Sequence, residues 1–137
     1  MIGVVVATHG DLGESLLATA TTVCGAPPAS RAVSVSAAEP PDVTRARLAA
    51  AIDAVEDGQG VLVLCDLFGG TPCNLALSLI TEKHIEVICG VNLPMLLKLT
   101  NARAEAMDLL AIARLTETYG HKHIQLATEL IRQQVPK

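Results

Sequence analysis

Apolar positions along the chain alternate between unbroken runs and helical stripes. Residues 2 to 7, IGVVVA, are too few for a helix and β-branched enough for a strand buried on both faces. From Asp11 the period lengthens: Leu12, Leu16, Ala20 and Val23 share one helical stripe, and Gly25, Pro27 and Pro28 stop it. Asp11 and Glu14 have the spacing of a variant capping box. RAVSVSA, 31 to 37, alternates as a strand with one less buried face does, which places it near a sheet edge. Residues 39 to 58 read as a helix with prolines at its start and Gly58 after its end. GVLVLCDL, 60 to 67, is a second continuous run and a second central strand. Thr71 before Pro72 reads as an N-cap followed by proline at the first helical position, with the helix continuing through CNLALSLITEK. A strand at 85 to 91, a helix over 92 to 102 starting after Pro94, and a helix over 105 to 120 closed by Gly120 complete the pattern. The tail supports two readings, because Ile124, Ala127 and Ile131 suit a helix while HIQLA, 123 to 127, suits a short strand.

Strands alternating with helices predict an α/β fold, a doubly wound and mostly parallel sheet flanked by helices on both faces, with right-handed crossovers. Residues 1–137 are long enough for one core and read as a single domain. Half the residues are apolar, yet Phe68 and Tyr119 are the only aromatic ones, so Val, Leu, Ile and Ala must fill the interior. Ten basic against 14 acidic residues give a net charge of -4 with no basic cluster, which argues against nucleic acid as a partner. MIGVVVATHG has no secretory leader pattern, and no apolar run approaches the roughly 20 residues of a membrane span. A cytoplasmic protein without direct membrane insertion is the expectation. Cys24, Cys65, Cys73 and Cys89 lack C-x-x-C or zinc-like spacing and read as reduced thiols in or near the core.

Candidate chemistry lies where two central strands end. In doubly wound sheets ligands sit beyond the carboxyl ends of the strands, where the strand order reverses. If the strands at 2–7 and 60–67 are neighbours, the loops carrying His9 and Asp66 meet there. An imidazole whose Nδ1 proton is held by a carboxylate keeps one tautomer and offers Nε2 as nucleophile. The carboxylate also stabilises the charge that develops when Nε2 is phosphorylated. Gly10, Gly69 and Gly70 lie beside two helix starts, where backbone N–H groups host a phosphoryl group, and Thr71 adds a hydroxyl donor. Singly, each of these residues is ordinary turn or cap chemistry; their joint placement at two strand ends favours a site. His84, His121 and His123 read as solvated, and the His121-x-His123 pair lacks an evident third ligand, so neither metal nor other cofactor is expected.

Rival sites on this architecture fail on particular residues. The chain has only Gly10-x-x-Gly13 where a dinucleotide fold wants G-x-G-x-x-G, and no Lys-Ser or Lys-Thr closes a P-loop. A receiver domain needs an acidic pair where Thr8 and His9 stand, and G-x-S-x-G is missing.

The segments GVVVATHGDLGESLL, GVLVLCDLFGGTPCNLA and VICGVNLPMLL resemble the signature segments of the enzyme IIA component of the mannose-type bacterial phosphotransferase system, from residue 2 to about residue 115. The resemblance implies a histidine phosphorylated by the phosphocarrier protein HPr and onward transfer to a IIB component serving a sugar permease. It places the phosphorylated histidine at His9, reacting through Nε2, the orienting aspartate at Asp66, and a hydroxyl near the phosphate at Thr71, with Gly69 and Gly70 in the same loop. It also implies a homodimer that exchanges a C-terminal strand, for which HIQLA is the candidate. Because the chain stops at Lys137 without an Ala-Pro-rich linker, the expectation is a free-standing carrier, serving either transport or regulation of a partner kinase or regulator. The phosphoryl-donor subunit of a dihydroxyacetone kinase has a related domain, but shows DLG with small residues where this chain has DLFGGTP.

Overall fold

A computed structural model describes residues 1–103 and 107–134. Four strands, β1 (Gly3–His9), β2 (Ser30–Val35), β3 (Val61–Cys65) and β4 (Ile85–Cys89), form one sheet in the order β2-β1-β3-β4, every pair parallel. The connecting helices are α1 (Leu12–Cys24), α2 (Pro41–Val55), α3 (Thr71–Leu77), α4 (Leu93–Ala102) and α5 (Leu109–Lys122), followed by α6 (Ala127–Gln134). β2 is an edge strand, as its alternation predicts. The order reverses between β1 and β3, so the neighbour relation on which the candidate site depends holds.

Successive side chains of the central strands enter opposite layers. Val5, Ala7, Val61, Val63 and Cys65 pack with Leu48 and Ile52 of α2 and Cys73 and Ala76 of α3. Val4, Val6, Leu62 and Leu64 pack with Ala20 of α1, Leu96 and Leu99 of α4 and Ile112 of α5. Both faces of β1 and β3 are thus dry, which is why these strands show no alternation.

Several element ends differ from the sequence reading, each for a packing reason. The buried face of α1 is Gly13 and Ala20 with Leu16 and Leu17 half-buried, whereas Leu12 and Val23 face solvent. A Cβ at Gly13 would stand 2.9 Å from the Val6 carbonyl oxygen, so the helix lies directly on β1 and turns Leu12 outward. The Asp11–Glu14 capping box does not form. Asp11 makes no side-chain cap bond, the Gly13 N–H donates to the buried Thr8 Oγ1 at 2.7 Å, and Glu14 accepts from the Ser34 hydroxyl. A hydroxyl from the preceding strand thus caps α1.

α3 ends at Leu77 rather than running through Lys83, because Arg45 binds the hydroxyl and carbonyl of Ser78 and the Glu82 carboxylate. Gly120 lies inside α5, not after it: any larger side chain there would collide with Met95, and helices α4 and α5 meet at this point. α5 begins at Leu109 and is capped by Asp108, whose carboxylate accepts from the Ala111 N–H; the first predicted residues of this helix, 105 and 106, lie outside the described residues. HIQLA is not a strand in this single chain. His123 to Leu126 form a turn and irregular chain, and Ala127 opens α6. Among the described residues no helix is long and apolar enough to cross a membrane.

Candidate functional site

His9 is the last residue of β1, and Asp66 directly follows β3. The register pairs Ala7 with Cys65, which brings the two residues, 57 apart in sequence, to the same rim of the sheet. His9 Nδ1 lies 2.8 Å from Asp66 Oδ2, and the His9 backbone N–H donates to that same oxygen at 3.2 Å. An ionised carboxylate only accepts, so Nδ1 carries the proton and Nε2 the lone pair. The His9 side chain is 50 % exposed and Asp66 15 %. The nucleophile candidate is therefore open to a large partner while its orienting group is shielded.

Burial by itself would raise the Asp66 carboxyl. The bonds from the ring and backbone of His9, together with its own amide, outweigh this and hold it below the usual carboxylate range. Its second oxygen, Oδ1, is buried and has no partner among the described residues. All the identified hydrogen bonding from His9 thus falls on one oxygen, an arrangement that fixes both the plane and the tautomer of the ring.

The other sequence-predicted residues surround this pair unequally. Gly70 packs against the ring: a Cβ there would stand 2.7 Å from His9 Cε1 and 3.3 Å from Nε2. Thr71 is exposed and is the first residue of α3, with Gly70 as the N-cap in place of the expected Thr71. Gly69 adopts φ +84° and a Cβ there would meet open space. Gly10 has φ +56°, and its N–H already donates to the Val35 carbonyl at 3.1 Å. Its amide is engaged by the sheet, and its part at the site is the turn that carries the chain from β1 into α1.

Gly70 has φ -79°, a conformation any residue adopts, so alanine there tests the ring contact without backbone strain. Gly70→Ala is expected to displace the His9 ring and change its proton and carbon resonances while moving the melting temperature little. Unmoved resonances would show that the contact does not position the ring.

Thr8 is the residue here that sequence reasoning missed. It is fully buried, and its hydroxyl fixes the start of α1 one residue before His9. The Asp11–Glu14 spacing concealed it by offering a cap from within the helix itself. Of the remaining histidines, His84 and His121 are exposed, and His123 is held by the Tyr119 carbonyl and stacked on its ring. A groove of about 360 Å³ opens beside the site, lined by Phe68, Leu77, Val87, Cys89, Met95 and Ile124 among others. His9 is not among the residues that line it.

Residues 3–115 match the family model EIIA-man, described as the PTS system fructose IIA component. The chain is 33 % identical over 128 residues to the PTS system mannose-specific EIIAB component of Escherichia coli strain K12, covering 90 % of this chain and 40 % of that protein. It is also 33 % identical over 104 residues to the PTS system fructose-specific EIIA component of Bacillus subtilis strain 168, covering 75 % and 71 %. Phosphotransferase system component EIIA from Streptococcus agalactiae superposes with a TM-score of 0.83 at 27 % identity, covering 94 % of this chain and 99 % of that one.

Proposed function

The chain belongs to the mannose-type EIIA family of phosphotransferase-system components, and from that membership we propose that it is a phosphocarrier, taking a phosphoryl group from phospho-HPr onto His9 Nε2 and passing it to a IIB component. The observation that carries this reading is the 2.8 Å contact between Nδ1 and Asp66 Oδ2 on a half-exposed ring. In the forward step the Nε2 lone pair attacks phosphorus in line, the bond from phosphorus to the donor imidazole breaks, and the Nδ1 proton stays between His9 and Asp66. Asp66 stabilises the positive ring that results. The Gly69 and Thr71 amides and the Thr71 hydroxyl receive the spread negative charge, the Gly70 N–H being engaged by the Leu67 carbonyl. Donor and acceptor are both histidines, so the transfer itself needs neither metal nor nucleotide.

Leu67 and Phe68, 60 % and 78 % exposed, follow Asp66 directly and offer an apolar contact to a protein partner beside the histidine. The exposed apolar side chains of Ile124, Leu126, Leu130 and Ile131 support a homodimer in which the C-terminal segments of the two copies pack together. Light scattering at micromolar concentration should give the mass of two chains, and a monomer there would overturn the dimer. The proposed donor places the protein in the cytoplasm. Incubation with phosphoenolpyruvate, enzyme I and HPr should load one acid-labile phosphate per chain, discharged on adding a IIB component. A chain that stays unlabelled under these conditions would refute the carrier reading.

A further inference from the structure

Below the candidate site lies a group of thiols for which the phosphoryl chemistry has no use. Cys65 ends β3 and stands in register opposite Cys89, the last residue of β4. Cys73 occupies the first turn of α3, and its Sγ lies 2.7 Å from Cys89 Sγ. A disulfide bond is about 2.05 Å long, so joining the two sulfurs needs a further approach of well under 1 Å. Cys73 is fully buried, whereas Cys89 is half-buried and lines the groove of about 360 Å³, through which a small oxidant reaches it.

We propose that Cys73 and Cys89 are a closable dithiol, which a peroxide joins into an intramolecular disulfide, and that closure draws the start of α3 away from His9. Cys89 Sγ attacks one peroxide oxygen, the O–O bond breaks, and a sulfenic acid and water form. Cys73 Sγ then attacks the sulfenic sulfur and expels the second water as the S–S bond forms. Two thiols lose two electrons and two protons in total, and the peroxide is reduced to water. Burial pushes the Cys89 thiol up to about 12, so closure is slow at neutral pH and accelerates in alkali.

The direction of the effect follows from the sheet order. β1 and β4 flank β3 on opposite sides, and Gly70, three residues before Cys73, touches the His9 ring at the end of β1. Drawing Cys73 toward β4 therefore moves Gly70 off the ring. Slower phosphoryl transfer by the closed form rests on the carrier reading above; closure and ring displacement do not.

The test uses the full chain with Cys24→Ser, since Cys24 is exposed and would link separate molecules. After treatment with hydrogen peroxide at mildly alkaline pH, the intact mass should fall by two hydrogen atoms. Non-reduced peptide mapping should join Cys73 to Cys89, and dithiothreitol should restore the thiols. The His9 ring resonances should shift in the closed protein and return on reduction. Cys89→Ser, at the half-buried position, should show neither change, and Cys65→Ser should show both. Oxygen addition without a link, a link through Cys65, or a link that leaves the His9 resonances unmoved would each overturn the proposal. Phosphate uptake should fall at least about threefold on closure. A reduced chain that takes up no phosphate would sink the carrier reading and leave the mass and resonance results to decide the dithiol.

Discussion

Replacement of His9 by alanine is expected to bring phosphate uptake from phospho-HPr to background while leaving the fold intact. The imidazole is half exposed and among the described residues its ring hydrogen-bonds Asp66 only, so its removal costs about 1 kcal/mol or less of stability after solvent screening. The Asp66 carboxylate keeps the His9 backbone N–H and stays ionised. Among the described residues Asp66 orients no other imidazole: His84, at the opposite end of the sheet, precedes β4, and His121 lines the neighbouring groove. Labelling with radioactive phosphate, with circular dichroism as the control for folding, measures both parts. An alanine variant that loads as much phosphate as the parent would transfer the role to another histidine and dissolve the assignment.

Asp66→Asn separates charge from orientation. Oδ2 accepts from both the backbone N–H and the ring of His9, so the asparagine must turn its oxygen to the same place, which preserves the tautomer. Its amide nitrogen then takes the buried position of Oδ1, which has no hydrogen-bond partner among the described residues. What disappears is the negative charge facing the ring. A hydrogen bond to an ionised group contributes about twice a neutral one, so the rate of phosphoryl uptake should fall about tenfold to a hundredfold, with the site of labelling unchanged. Asp66→Ala, which loses orientation as well, should fall further. Equal rates for parent and asparagine variant would show that the carboxylate only aims the ring.

The same residue sets a pH dependence of stability. The folded carboxyl is held below its ordinary value, so the folded state binds this proton less readily than the unfolded chain. The stabilisation is fully present above the unfolded carboxylate value of about 3.9 and is lost as pH falls through the lower folded value. Between pH 5 and pH 8 Asp66 contributes a constant amount. In acid titrations followed by circular dichroism, the stability gap between parent and Asp66→Asn should therefore narrow only below about pH 4.

The legible parts of the fold were those encoded in consecutive residues. VVVA and VLVLC announced strands covered on both faces, and RAVSVSA announced an edge, because the burial of each side chain follows from its own face of the strand. The helix expected after Pro94 forms, though Asn92 caps it through the Met95 N–H so that it opens at Leu93 and takes Pro94 into its first turn. The misread positions were those settled by another element. Gly13 turned the face of α1, Thr8 replaced the capping box, Arg45 shortened α3 and Met95 drew Gly120 into α5. In each case a partner distant along the chain, or lying on another element, supplied or removed the bond.

By itself the sequence determined the class of fold and placed an imidazole and a carboxylate, His9 and Asp66, at the ends of two strands. Only the tertiary structure decided that both His9 donors fall on one oxygen of Asp66, that Gly70 touches the ring, that the Gly10 amide is already engaged, and that Cys73 meets Cys89. The physical reason is that periodicity records how each residue is buried along its own element. Distances between elements depend on sheet order and on how closely helices settle onto strands, and these are fixed by packing across the whole core.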